Sequence, residues 1–294
     1  MKRYLCFLCV VVLLLAVYLL FQGLFIFLAM FCAVSIAGRG GDVPLDDMLS
    51  AGNPLDHPVL QSYAVDAMGW GLFLAAAAML LFIHKTGLFR LRAALLRSVS
   101  LKPLLLSVAL VFSAIFALNI FVQWFPLEDK LATQFDGLTH TFIGALTVSV
   151  LAPLLEEVMF RGAIQGYMMR RVRNPWLAIV MASLVFGIFH MNPVQTVYAA
   201  MLGLVLGWIY YRTCSLLPVI AGHVLNNTLA TLVLVLFGSD ADAGLQGSAS
   251  PGTVDIPGIL CFILFALLSV YFARKLNVSL PVPAVPWREV GEDG

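Results

Sequence analysis

Long apolar stretches alternate with short polar ones along the chain, and eight of the apolar stretches are long enough to cross a lipid bilayer. The hydrocarbon core of a bilayer is about 30 Å thick, so a helix that rises about 1.5 Å per residue needs roughly 20 apolar residues to span it. The pattern therefore predicts an all-α fold, a polytopic transmembrane helix bundle of about eight spans. The predicted spans cover residues 5–37, 65–84, 102–125, 139–168, 175–191, 195–211, 215–237 and 256–273.

Basic side chains fall on every second connection between the predicted spans, and acidic side chains fall on the others. Segments rich in Lys and Arg stay on the cytoplasmic side of a membrane. The predicted orientation therefore has both the N and the C terminus in the cytoplasm. The basic residues that decide it are Lys2, Arg3, Lys85, Arg90, Arg92, Arg97, Lys102, Arg170, Arg171, Arg173, Arg212, Arg274 and Lys275.

The composition excludes a soluble protein of this size. Hydrophobic residues make up 61% of the 294 residues and charged residues only 11%, whereas soluble domains have about 25% charged residues. The formal net charge is +1, so the charge balance gives no indication of a nucleic acid partner. The expected surroundings are the lipid bilayer.

Six polar residues lie at depths from which a membrane normally excludes them. A charged side chain near the bilayer centre costs at least about 2.5–3.5 kcal/mol, so such residues are candidates for function. Counted from the cytoplasmic helix ends at about 1.5 Å per residue, Glu156, His190 and Asn227 lie roughly 21–22 Å deep and His223 roughly 16 Å deep. One polar layer predicts a single site. Its candidates are Glu156, Glu157 and Arg161 in the fourth span, His190 in the fifth, and His223 and Asn227 in the seventh.

The spacing of these residues separates the two neighbouring glutamates. Adjacent helical residues project about 100° apart, so Glu156 and Glu157 cannot face the same point. Glu157 and Arg161 are four residues apart and are expected to form an ion pair, which leaves Glu156 free to accept a proton. His223 and Asn227 share a helix face for the same reason. An acid, an imidazole and fixed donors are the groups that water-driven acyl hydrolysis needs.

Three motifs built on these residues resemble those of the CPBP family of intramembrane proteases, also called Abi. The eukaryotic members of that family are the CAAX prenyl endopeptidases of the Ras-converting type. Glu-Glu-x-x-x-Arg stands at 156–161, Phe-x-x-x-His at 186–190 and His-x-x-x-Asn at 223–227. The resemblance divides the chain into N-terminal transmembrane helices (1–138), a catalytic core (139–237), and a last part with an outer loop, a helix and a cytoplasmic tail (238–294).

The resemblance implies an intramembrane endopeptidase with an all-helical membrane fold. Its substrate would be a peptide or a membrane-anchored protein. The compact bundle without further domains suggests a multi-pass protein of the bacterial inner membrane. The implied roles are activation of water by Glu156 and His190, stabilisation of the oxyanion by His223 and Asn227, and support of the site by Glu157 and Arg161.

Two alternatives stay open at the level of the sequence. No cofactor is expected, because Asn227 is a poor zinc ligand and a good oxyanion donor. However, family members have also been described as metalloproteases, and a Zn²⁺ ion held by Glu156, His190 and His223 would be chemically sufficient. The second alternative is a non-catalytic membrane protein, such as a transporter or an immunity scaffold, that uses the polar cluster for structure or binding. A transporter would be expected to show inverted repeats, which are not apparent here.

Overall fold

The computed structural model describes residues 2–40, 58–86, 99–127, 129, 132–172, 174–238 and 254–280. Within these ranges every regular element is a helix and no strand is present. The predicted all-α fold class is therefore confirmed. The predicted outer loop between 239 and 253, the tail from 281 onward and the basic residues Arg90, Arg92, Arg97 and Arg173 lie outside the described residues.

The described residues form nine helices, of which eight correspond to the predicted spans. The additional one is a short helix in a connection predicted to be a loop. The helices are α1 (Lys2–Gly40), α2 (Pro58–Thr86), α3 (Leu101–Gln123), the short α4 (Ala132–Thr139), α5 (Phe142–Met169), α6 (Pro175–Phe189), α7 (Pro193–Thr213), α8 (Leu217–Phe237) and α9 (Ile256–Ser279).

Seven of the helices in the described part of the chain are long and apolar enough to cross a membrane. The exception among the predicted spans is α6, whose 15 residues reach only about 22 Å at 1.5 Å per residue. Its shortness has a local cause. Met191 has a left-handed backbone conformation with φ of 50°, and Asn192 is extended because it precedes Pro193. The side of the membrane on which each terminus lies stays a prediction.

Caps and prolines at the helix starts explain where several spans begin. The Asn174 side chain accepts a hydrogen bond from the backbone N–H of Trp176, and Pro175 occupies the first turn of α6. The Asp255 carboxylate accepts one from the Gly258 N–H at the start of α9. Side-chain oxygens at this position satisfy N–H groups that have no partner within the helix. Proline fits the first turn because its missing N–H would be unpaired there.

The helix α5 is the irregular one, and it lies at the centre of the bundle. Two of its segments, Thr147–Leu151 and Glu157–Gln165, have backbone hydrogen bonds that span five residues in place of four. All nine residues of the second segment are buried. Such π-helical segments are rare and are found mostly at functional sites. The irregularity therefore coincides with the part of the chain that carries the candidate residues.

Small residues on α7 let two other helices approach closely. A Cβ atom on Gly203 would lie 3.1 Å from the Ser183 Cβ on α6, and one on Gly207 would lie 2.8 Å from Oε1 of Gln165 on α5. Close approach of backbones through small residues is the usual way in which helices pack in membranes. It also exposes the glycine carbonyls to polar side chains of α5.

Candidate active site

Glu157 is the buried centre of the candidate site and joins two helices. Its side chain is fully buried, and that of Arg161 is 1% exposed. Oε1 of Glu157 accepts hydrogen bonds from Nη1 of Arg161 at 2.9 Å and from Nδ1 of His223 at 2.7 Å. The ion pair expected from the sequence is therefore present. The bond to His223, which ties α5 to α8, was not predicted.

Arg161 is held on its other side by the backbone of α7 and by an aromatic ring. Its Nη2 donates to the Gly203 carbonyl at 3.4 Å, and its Cζ lies 4.4 Å from the centre of the Phe186 ring. One turn further along α5, Nε2 of Gln165 donates to the Gly207 carbonyl at 2.8 Å. A buried guanidinium is tolerated where its charge is paired and its N–H groups are bonded. The carbonyl oxygens of Gly203 and Gly207 on α7 are the acceptors for the Arg161 and Gln165 side chains.

The contacts of His223 fix which of its nitrogens carries a proton. Oε1 of Glu157 accepts from Arg161, and a carboxylate oxygen can only accept, so the Nδ1 of His223 is the donor. Nε2 of His223 then points toward Glu156, whose Oε2 lies 3.7 Å away, too far for a direct hydrogen bond. His223 is thus held by one glutamate and faces the other.

The two neighbouring glutamates lie in different surroundings. The Glu156 side chain is 14% exposed, whereas that of Glu157 is completely buried. Glu157 contacts a guanidinium, while Glu156 faces an imidazole at the edge of the site. Different surroundings give adjacent carboxyl groups different chemical roles. This separation agrees with what the 100° rotation between neighbouring helical residues predicts.

His190 stands at the end of α6, and Phe186 ties it to the rest of the cluster. Nδ1 of His190 donates to the Phe186 carbonyl at 2.8 Å, which leaves Nε2 as the free acceptor of a neutral ring. The Phe186 ring has its centre 4.9 Å from that of His190 and 5.7 Å from that of His223. One phenyl ring therefore contacts both imidazoles and also Arg161.

Asn227 lies one helical turn beyond His223 and contacts α5. Its Nδ2 donates to the carbonyl of Val148 at 2.9 Å, and its Oδ1 accepts from Nδ2 of Asn226 at 3.0 Å. Among the described residues, no hydrogen bond or ion pair joins His190 or Asn227 directly to Glu156. The structure thus brings Glu157, Arg161 and His223 into one hydrogen-bonded cluster, with Glu156 3.7 Å from His223. His190 and Asn227 flank it through their neighbours.

Residues outside the three motifs also belong to the site, and sequence reasoning missed them. Tyr18 on α1 is close enough to Glu156 to interact with it electrostatically and hydrogen-bonds Gln22. Its ring centre is 5.7 Å from that of Phe189. The sequence did contain a signal for this contact, because Tyr18 and Gln22 lie one turn apart in the apolar middle of α1. The first helix therefore forms one wall of the site, although no motif lies on it.

The metal alternative is not decided by these contacts. The described residues include no group of three His, Cys, Asp or Glu side chains that could hold a metal ion. Glu156 and His223 approach each other, but His190 does not complete a ready set of three ligands with them. The metal-free expectation and the zinc alternative both stay predictions.

Residues 138–229 match the family model described as Type II CAAX prenyl endopeptidase Rce1-like. This region is Rce1-like. The match confirms the resemblance predicted from the motifs, and all six candidate residues fall within it. No curated protein and no solved structure matches the chain. The chain is thus an integral multi-pass membrane protein with a core like that of the CAAX proteases. The division of the rest of the chain stays a prediction.

Proposed function

We propose that the protein is an intramembrane endopeptidase that hydrolyses a peptide bond by means of an activated water molecule. The observation that carries the proposal is the different placement of Glu156 and Glu157 around His223. One carboxylate is buried and bonded to Arg161 and His223, and the other is partly exposed 3.7 Å from the same imidazole. A purely structural ion-pair cluster has no need for a second carboxylate at its open edge.

Glu156 is the general base in this proposal. It takes a proton from the water while the free Nε2 of His190 accepts the second hydrogen bond and orients the molecule. The water oxygen then attacks the carbonyl carbon of the peptide, and the carbonyl oxygen becomes an oxyanion. Glu156 passes its proton to the leaving nitrogen as the C–N bond breaks. A well-placed acid or base contributes about 10²–10⁴ in rate.

His223 and Asn227 are the groups proposed to stabilise the oxyanion. Nδ1 of His223 is already committed to Glu157, so its Nε2 donates to the oxyanion when the ring is an imidazolium. Asn227 donates an N–H that its bond to Val148 leaves unused. Removal of one such donor costs about 10²–10³ in kcat in other hydrolases. Glu157 and Arg161 act as support, since they hold His223 in place.

The substrate in this proposal is a membrane-associated protein or peptide, and the site of action is the bacterial inner membrane. The six candidate residues lie within helices or at a helix end in the apolar part of the chain, so the scissile bond must reach them inside the bilayer. No cofactor is required by the proposed steps. If zinc were bound, chelation would remove the metal together with the activity.

The test compares the purified full-length protein with its Glu156→Gln variant on a detergent-solubilised peptide library made from bacterial membrane proteins. New peptide N termini are counted by mass spectrometry over time. Glutamine keeps the size and the hydrogen bonding of the side chain but cannot take up a proton. Cleavage by the variant is expected to fall by about 10²–10⁴ without loss of the folded protein.

A matched substitution, Glu289→Gln in the C-terminal tail, is the control and is expected to cleave like the natural protein. Equal cleavage by the natural protein and Glu156→Gln would contradict the proposal. Absence of cleavage by the natural protein would contradict it as well and would favour a non-catalytic transporter or scaffold.

A further inference from the structure

We propose that Tyr198 and Asn226 are positioning residues that hold the Asn227 amide in the one orientation that presents an N–H to the substrate. The inference rests on the proposed function, in which Asn227 donates to the oxyanion. Tyr198 lies outside the three motifs, and Asn226 occupies a variable position of the third. Both are placed by a row of hydrogen bonds that crosses the bundle from α7 through α8 to α5.

The row consists of three bonds with a single direction. The Tyr198 hydroxyl donates to Oδ1 of Asn226 at 2.5 Å. Nδ2 of Asn226 donates to Oδ1 of Asn227 at 3.0 Å, and Nδ2 of Asn227 donates to the Val148 carbonyl at 2.9 Å. A carbonyl oxygen can only accept, so the last bond sets the direction of the other two. The Tyr198 side chain also hydrogen-bonds Asn119 on α3, which anchors the start of the row.

This direction decides how the Asn227 amide can act. If the amide rotated by 180°, its oxygen would face the Val148 carbonyl and its NH₂ group would face the NH₂ group of Asn226. Both contacts would then be repulsive, and unmade hydrogen bonds at partly buried groups are costly. The observed orientation uses one N–H on Val148 and leaves the second for a ligand. Without Asn226, the Oδ1 of Asn227 would lose the hydrogen-bond donor that keeps the amide in this orientation.

The Val148 carbonyl is available because of a proline in α5. The backbone N–H of Ala152 bonds to the Thr147 carbonyl, five residues earlier. In the same register the Val148 carbonyl would bond to the N–H of residue 153, but that residue is Pro153, which has none. The π-helical segment and the proline together leave a carbonyl without its backbone donor. Asn227 fills that position from the neighbouring helix.

Adjacent positions on α8 explain why two asparagines are needed. Neighbouring helical residues point about 100° apart, so Asn226 is directed toward α7 and Asn227 toward α5. Tyr198 holds the oxygen of Asn226, and this in turn directs its NH₂ group back to Asn227. The pair therefore links Tyr198 on α7 to the Val148 carbonyl, the acceptor on α5.

The test measures kcat and KM of Tyr198→Phe on the library peptide that the natural protein cleaves fastest. Loss of the hydroxyl leaves the ring in place and is expected to lower kcat roughly tenfold, the effect of one lost hydrogen bond, with KM unchanged. Asn227→Ala is expected to lower kcat by about 10²–10³. In the Asn227→Ala background, Tyr198→Phe should have no further effect, since the group it positions is gone.

The matched control is Tyr210→Phe, the same substitution at a fully buried tyrosine of α7, which should leave kcat unchanged. Asn226→Leu, nearly the same size without the hydrogen bonds, is the second variant and should reproduce the loss caused by Tyr198→Phe. Thermal unfolding and size-exclusion profiles of each variant establish that it is folded.

Three results would contradict the inference, and they are distinguishable. Unchanged kcat in Tyr198→Phe and Asn226→Leu would overturn it, while Glu156-dependent cleavage would leave the proposed function standing. An equal loss from Tyr198→Phe with and without Asn227 would also overturn it, because the tyrosine would then act independently. If no cleavage depends on Glu156, the proposed function fails, and the inference fails with it.

Discussion

The helices α5 and α9 are both long and apolar enough to cross a membrane, yet they are built for different surroundings. In its most apolar stretch α9 has no buried residue, whereas half of the corresponding stretch of α5 is buried. The helix α9 is α-helical throughout, and α5 contains two π-helical segments. The mean hydropathy is 1.7 for the stretch in α5 and 2.4 for the one in α9, so both helices are apolar enough to cross a membrane.

Charge is what distinguishes the two helices energetically. Glu156, Glu157 and Arg161 lie within α5, and Glu157 and Arg161 are almost fully buried. The charged residues of α9, Arg274 and Lys275, fall near its C-terminal end, where long side chains can reach the membrane surface. Charges within a span need partners, and α5 pairs Glu157 with its own Arg161 and obtains further partners from α7 and α8. A helix that carries such charges is therefore central to the bundle, and a helix without them can face lipid.

The largest effect on stability is expected when the pairing in α5 is broken. Glu157→Gln should lower the free energy of unfolding by about 3–5 kcal/mol, because it leaves a buried Arg161 without its counter-charge. Adding Arg161→Met should recover much of that stability. Cleavage should not recover, since His223 still lacks the carboxylate that holds it. The measurement combines thermal unfolding in detergent with the peptide-library assay.

Glu156→Gln is the control for this comparison, since no guanidinium in the described part of the chain forms an ion pair with its carboxylate. It should keep the thermal stability of the natural protein, and Arg161→Met should bring it no benefit. If the two glutamate variants were equally unstable, the distinction between a buried supporting carboxylate and a reactive one would be wrong.

Much of this arrangement follows from the sequence, and the remainder depends on how helices pack. The spacing of Glu157 and Arg161 was enough to expect their ion pair, which is present, while the single layer expected from the depth of the motif residues stays a prediction. The bond from Glu157 to His223 could not be foreseen, because spacing within one helix does not tell which residue of another helix it meets. The π-helical segments were also missed. A proline inside a span predicts a disturbed helix but not the direction in which a freed carbonyl points.

The interface between α6 and α7 should respond less strongly than the ion pair. In Gly187→Ala, the new Cβ would lie 2.5 Å from the Thr196 carbonyl oxygen and 2.7 Å from the Ala200 Cβ. The two helices would have to move apart, at an expected cost of about 1–3 kcal/mol. His190 lies three residues further along the chain, so cleavage should fall as well. Thermal unfolding and the cleavage assay measure the two effects.

Gly23→Ala on α1 is the matched substitution. Among the described residues, no atom outside the neighbouring backbone of α1 lies within 4 Å of its new Cβ, and alanine favours a helix over glycine by about 0.5–1 kcal/mol. The variant is expected to be as stable as the natural protein or slightly more stable. A destabilisation similar to that of Gly187→Ala would show that α1 is packed as tightly as the core.

The smallest effect is expected on the outer face of α9. Leu267 is 64% exposed, and in the membrane this exposed face contacts lipid. Leu267→Ala leaves no cavity in the bundle, because lipid chains fill the volume that the side chain vacates. Its effect on the free energy of unfolding should stay within about ±0.5 kcal/mol, as for other exposed positions.

Thermal unfolding of Leu155→Ala in α5 gives the contrast. Leu155 is fully buried, and its truncation should cost about 2–5 kcal/mol. Similar losses from the two substitutions would mean that α9 is covered by protein in the membrane, and the difference between a central and a lipid-facing span would then have to be abandoned.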